Sequence, residues 1–130
     1  MPEGHGHRVW IIPDGYIPST SSDAIGPSGY ISHESLCILN DGTEPAHCTL
    51  DIFFEDREPI KGIKFTVDAE RSLHLRLDKL TADDGSPLIP RDTCYSLRIT
   101  SDRNIVVQHS RLDVTQPNEA LFTTVAYHAD

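Results

Sequence analysis

The chain is predicted to fold as a single-domain, all-β antiparallel sandwich of about eight strands, and three observations predict it. Apolar and polar residues alternate within short segments, as where Cys48, Leu50, Ile52 and Phe54 oppose His47, Thr49 and Asp51. That period of two is what a half-buried antiparallel strand requires. Gly, Pro, Asn and Asp break the segments at short intervals, as they do in sandwiches and barrels. No apolar stripe at three- and four-residue spacing is sustained for three turns, so no substantial amphipathic helix is expected.

Taken in order, residues 1–7 read as a flexible N-terminal segment and residues 8–130 as the domain. Residues 8–12 form a first strand, stopped by Pro13-Asp14-Gly15. Residues 17–29, rich in Pro, Gly and Ser, read as a long loop. A second strand covers 31–40, and Asn40-Asp41-Gly42 is a turn signal into a third at 47–54. Ile63, Phe65 and Val67 mark the fourth strand; Leu73, Leu75 and Leu77 point inward from a fifth at 71–78. A second loop spans 81–90. Strands at 93–100 and 104–111 are expected to be joined by a tight turn at Ser101-Asp102-Arg103. Residues 116–120 can make one helical turn, and 121–127 form the closing strand.

Composition bounds the function. With 130 residues the chain suits one domain with its own core. Twenty acidic against eleven basic residues give a formal charge of −9, which repels nucleic acid phosphates and anionic membranes. Only a patch assembled from Arg57, Lys61, Lys64, Arg71 and Arg76 would reverse that, so nucleic acid is not expected as a partner. No apolar run approaches the roughly 20 residues that span a bilayer. The N-terminus lacks the basic start and apolar core of a secretory signal, and a cytoplasmic protein is the simplest reading. Three cysteines without C-x-x-C spacing, Cys37, Cys48 and Cys94, read as small buried thiols and not as a disulfide framework.

The most informative stretch is 104–113. Ile105-Val106-Val107 is a strong strand signal that runs without a break into Gln108, His109, Ser110, Arg111 and Asp113. Each polar group costs free energy to desolvate unless it finds a partner, so such a strand either frays into a loop or lines a pocket or interface. Parity puts Ile105, Val107, His109 and Arg111 on one face. An Arg fork suits a carboxylate and equally a ligand hydroxyl.

Residues 31–35 have a similar character, with His33 and Glu34 on opposite faces of a strand start, so the two do not form a dyad with each other. If Val9 and Ile11 fill the core, Trp10 is left for the outer face, a pocket or a subunit contact; with the other parity it is a core tryptophan. Tyr16 follows it across the Pro-Asp-Gly break. His5 and His7 have a spacing that could hold a metal, but they lie in a Gly-rich terminus, and no metal or other cofactor is assigned. None of the common nucleophile, zinc, phosphate or dinucleotide motifs is present.

Gly15-Tyr16-Ile17-Pro18, Ile31-Ser32-His33-Glu34, Cys37-Ile38-Leu39-Asn40, Glu58-Pro59 and residues 107–113, in that order and spacing, resemble the sensory rhodopsin transducer family; Ala120 to Tyr127 looks like its closing strand. The resemblance covers roughly residues 8–128. It implies a β-sandwich assembled as a homotetramer and a non-enzymatic signalling role, with a membrane sensory rhodopsin or other receptor as partner. Relatives also look like small-molecule-binding domains, for sugars or related metabolites. Carried onto this chain, the ligand-contacting positions are Trp10, Tyr16, His33, Glu34, Gln108, His109, Arg111 and Asp113. Two rival readings stand beside a small polar ligand: a pure interaction module that docks on the cytoplasmic face of a photoreceptor, and a hydrolase or isomerase using His33 or His109 as base.

Overall fold

The computed structural model describes residues 3–19, 30–116 and 119–130. Among them are eight strands: β1 (His7–Tyr16), β2 (His33–Asn40), β3 (Ala46–Phe54), β4 (Ile60–Val67), β5 (Arg71–Arg76), β6 (Cys94–Asp113), β7 (Ala120–Val125) and β8 (Tyr127–His128). A single 3-10 turn, Leu77–Lys79, interrupts them, and no α-helix occurs among the described residues. The loop expected at 17–29 lies largely outside the described residues, as does the centre of the helical turn expected at 116–120.

Every strand pairing is antiparallel, and all eight strands join one hydrogen-bonded sheet. Its organiser is β6, 20 residues long. The first half of β6 lies between β1 and β3, and its second half lies between β2 and β7. β4 flanks β3, β5 flanks β2, and β8 flanks β1. Both halves of the sheet bury their alternating faces in one core. Trp10, Ile12, Leu50, Ile52, Leu97 and Ile99 come from the first half, and Leu36, Ile38 and Val107 from the second.

Two expected turns are strand instead. Ser101-Asp102-Arg103 does not reverse the chain: β6 continues through it and bends. The pairing with β1 jumps from Val9↔Thr100 to His7↔Ile105, so β6 carries extra residues there. An irregularity of this kind bends a strand without ending it. Its polar side chains hold the corner: Ser101 Oγ accepts the Arg103 N–H at 3.1 Å, and Asp102 Oδ1 accepts the His47 N–H at 2.8 Å. Likewise Pro13-Asp14-Gly15 lies inside β1 as a register shift between Ile12 and Gly15. A Cβ on Gly15 would sit 2.3 Å from the Tyr95 ring, so only glycine lets that ring lie across β1.

Other boundaries move less. β2 starts at His33 rather than residue 31, and the closing strand divides at Ala126 into β7, paired with β6, and β8, paired with β1. Residues 3–6, read from sequence as flexible, run along the domain: Glu3 Oε1 accepts the Asn104 N–H at 2.6 Å and Asp41 Oδ1 accepts the His5 N–H at 2.7 Å. Gly6, at φ 104°, has no room for a Cβ against the Ile105 carbonyl. All three cysteines are free thiols, but only Cys48 is buried; Cys37 is half-buried on the outer face of β2 and Cys94 is exposed at the start of β6.

Candidate functional site

Because β6 crosses from one half of the sheet to the other, β1 leaves with its first half and β7 with its second. A groove of about 440 Å³ opens between them, lined on the β1 side by Ile11, Ile12, Pro13 and Asp14. Phe122, Thr124 and Val125 of β7 line the other side, Tyr127 stands at the end, and His109 and Arg111 of β6 form the floor. Register explains the set. Phe122 pairs with Arg111 and Thr124 with His109, so all four side chains share one face of their ladder, the face toward the groove. Tyr127 pairs with Ile11 across β8.

Beneath this floor lies Glu34, fully buried and the hub of the polar core. Glu34 pairs directly with Arg111 across β2 and β6. Its Oε1 accepts hydrogen bonds from His109 Nε2 at 2.9 Å and from the Tyr95 hydroxyl, and its Oε2 accepts the Tyr16 backbone N–H at 3.0 Å and Arg111 Nε at 2.7 Å. Burial pushes the Glu34 carboxyl up. The bonds from His109, Tyr95 and Tyr16, with the charge of Arg111, outweigh it and leave the pKa below the ordinary value. Burial and the adjoining carboxylate push the Tyr95 hydroxyl strongly up, so it stays a donor. Arg111 spends only Nε on Glu34. Its Nη groups have no protein acceptor among the described residues, and the side chain is 29% exposed. A buried carboxylate thus holds a guanidinium with its free edge at the groove.

The eight positions expected from sequence divide. Glu34, His109 and Arg111 form one bonded cluster, with His109 and Arg111 on the groove floor. Tyr16 joins it through its backbone; its hydroxyl points away, donating to Asp92 Oδ1 at 3.2 Å. Trp10 takes the core reading and not the ligand-contacting one: the indole is buried, and Nε1 donates to the carbonyls of His7 and Ile105 at 3.0 and 3.1 Å. Val9 and Ile11, assumed to fill the core, are the half-buried neighbours. His33 faces away from Glu34 and its Nδ1 bonds the Ile31 carbonyl. Gln108 bonds Thr123 on the opposite face of the ladder from the groove. Asp113 is occupied by Thr115, whose N–H and hydroxyl it accepts at 2.9 and 2.6 Å.

Sequence reasoning missed Tyr95, Asp14, Phe122, Thr124 and Tyr127. Alternation with Leu97 and Ile99 does place Tyr95 inward. The others depend on how β7 and β1 are paired, which no local pattern encodes.

The fold and groove define a class: an all-β protein whose one long shared strand carries a polar cluster to a cleft between sheet edges. The chain belongs to the Anabaena sensory rhodopsin transducer family, whose model matches residues 5–128. Among solved structures it is similar to the crystal structure of Thermotoga maritima 1070, at 39% identity and a TM-score of 0.81, over 96% of this chain and 97% of that one. It is also similar to the Anabaena sensory rhodopsin transducer, at 43% identity and a TM-score of 0.71, over 85% and 91% of the two chains. No curated protein matches. No helix among the described residues is long and apolar enough to cross a membrane.

Proposed function

We propose that this chain is a non-enzymatic, cytoplasmic signalling protein that binds a small polar, sugar-like ligand in the groove between β1 and β7 and relays its occupancy to a partner. One observation carries the reading: Arg111 is oriented by a buried carboxylate while the outer edge of its guanidinium meets a cleft walled by aromatic rings. Phe122 is 55% exposed and Tyr127 69% exposed. Such rings suit the apolar face of a sugar, and a few convergent polar groups against them are the usual composition of a small-ligand pocket. Thr124 and Asp14 supply a hydroxyl and a carboxylate to ligand hydroxyls. A thermal-shift screen of saccharides and nucleotides, followed by crystals soaked with each hit, tests this. Density between Arg111 and Tyr127 supports the reading, and hits seated elsewhere refute it.

Catalysis fits the geometry less well. The acid–base reading needs His33 and His109 in one cleft with a carboxylate, and His33 does not line the groove. Nucleic acid fits poorly too: Arg57 and Arg76 of the supposed patch are each tied to an aspartate, Asp56 and Asp78.

A second reading, the interaction module, is favoured by β7. All six of its residues are exposed, including Leu121, Phe122 and Val125, and they sit on an edge strand. Exposed apolar edges are ordinarily covered by another chain. We assign this surface to assembly of the homotetramer or to a receptor such as a membrane sensory rhodopsin, whose Lys/Arg-rich cytoplasmic loops would suit an acidic protein. Light scattering of the purified chain decides between the two: a monomer leaves β7 for a receptor.

A further inference from the structure

We propose that His7, His128 and Asp130 form a binding site for a divalent transition-metal ion, Zn2+ or its neighbours Ni2+ and Cu2+, that clips the last strand to the first. One ligand atom from each of the three residues lies within 4.8 Å of the other two. His7 opens β1 and His128 lies on β8, directly opposite Trp10. Their rings stand 3.6 Å apart and parallel to within 1°. Asp130 is brought back to the same spot by the backbone, as the Ala129 N–H donates to the Val9 carbonyl at 2.9 Å. Its carboxylate accepts the Arg8 N–H at 2.9 Å, with Oδ1 only 3.6 Å from His7 Nδ1.

Two imidazoles and one carboxylate are a donor set for zinc and for the later first-row divalent ions, with a position left for water. The required separations are short, since ligand bonds of about 2.0–2.2 Å place donor atoms roughly 3.3 Å apart in a tetrahedral site. The donor atoms, within 4.8 Å of one another, have only a short way to close. Stacking leaves the nitrogen lone pairs in parallel planes, and a swing of the exposed His128 ring lets them converge on one ion. β8 is held by only two ladder pairs, Trp10↔His128 and Ile11↔Tyr127. A shared ion adds a cross-link beside the residue that closes the groove. The site does not depend on what the groove binds.

The experiment uses the untagged full chain. Trp10 is the only tryptophan, and its indole lies 5.8 Å from the His7 ring and 5.9 Å from the His128 ring. Ni2+ or Cu2+ at this site therefore quenches its fluorescence, and calorimetry with Zn2+ gives one ion per chain. His128→Ala and His7→Ala each weaken Zn2+ binding by about tenfold or more, a loss seen even when only an outer partner of a metal ligand is changed. His5→Ala leaves it unchanged. In the unaltered chain, Zn2+ shifts the imidazole NMR resonances of His7 and His128 but not those of His47 or His74, a readout independent of whether the variants fold. Unchanged affinity in His128→Ala, loss of binding in His5→Ala, or shifts confined to other histidines would each overturn the proposal.

Discussion

Glu34 and Arg111 stand directly opposite each other on β2 and β6, joined by a 2.7 Å bond from Arg111 Nε to Glu34 Oε2. The pair makes the groove floor charged without leaving a bare ion in the core. It also makes that floor a structural element, so removing either partner disturbs stability as well as recognition.

Glu34→Gln is therefore expected to destabilise the fold by about 3 kcal/mol or more at neutral pH, the scale of breaking a buried ion pair. The amide keeps an acceptor but turns an NH2 toward donors that have nowhere else to go. Chemical denaturation of both proteins measures the difference.

The same carboxylate sets an acid limb. The pKa of Glu34 in the fold is lowered from its ordinary 4.5. Its contribution is thus fully present above about pH 5 and is lost as pH falls through the depressed value, because the unfolded chain then takes up the proton more readily. The stability gap between the wild type and Glu34→Gln narrows as pH drops below 4.5. A gap constant from pH 7 to 3 would show that folding leaves the Glu34 pKa unshifted.

Gly15→Ala forces the new methyl against the Tyr95 ring, 2.3 Å from its nearest carbon. Displacing that ring breaks its bond to Glu34, so a cost of about 1–3 kcal/mol is expected, typical of overpacking a filled site. Tyr95→Phe removes the hydroxyl without the clash. It separates the two causes in the same denaturation assay.

Trp10→Phe loses the indole N–H that serves the His7 and Ile105 carbonyls. About 1–3 kcal/mol of stability should go with it, from the unpaired carbonyls and the volume left empty. Saccharide binding should not change, because the ring lies in the core. Thermal melts with and without sugar distinguish the two effects.

Much of the fold was legible in the sequence because half-buried strands write their inward faces as alternation: Cys48-Leu50-Ile52 and Leu73-Leu75-Leu77 stand as read. What failed was punctuation. Ser101-Asp102-Arg103 and Pro13-Asp14-Gly15 have the composition of reversals, yet a bulge or a corner wants the same residues, and only tertiary pairing decides which forms. The site was half legible for a related reason. Parity along β6 put His109 and Arg111 on one face, and the same rule separated Glu34 from His33. Phe122, Thr124 and Tyr127 depend on register across β7 and β8, and Trp10 stayed open between core and pocket because either parity of β1 looks apolar.

Calorimetric titration of saccharides into the wild type, Arg111→Lys, Tyr127→Ala and Trp10→Phe tests the central claim most directly. Lysine can keep a charge beside Glu34 but lacks the fork. The groove account predicts a saturable wild-type isotherm. Affinity should fall about 10- to 100-fold in Arg111→Lys and Tyr127→Ala, matching the loss of a charged hydrogen bond or a stacking face, and stay unchanged in Trp10→Phe. Equal affinity in all four proteins, or no binding at millimolar sugar, would contradict it.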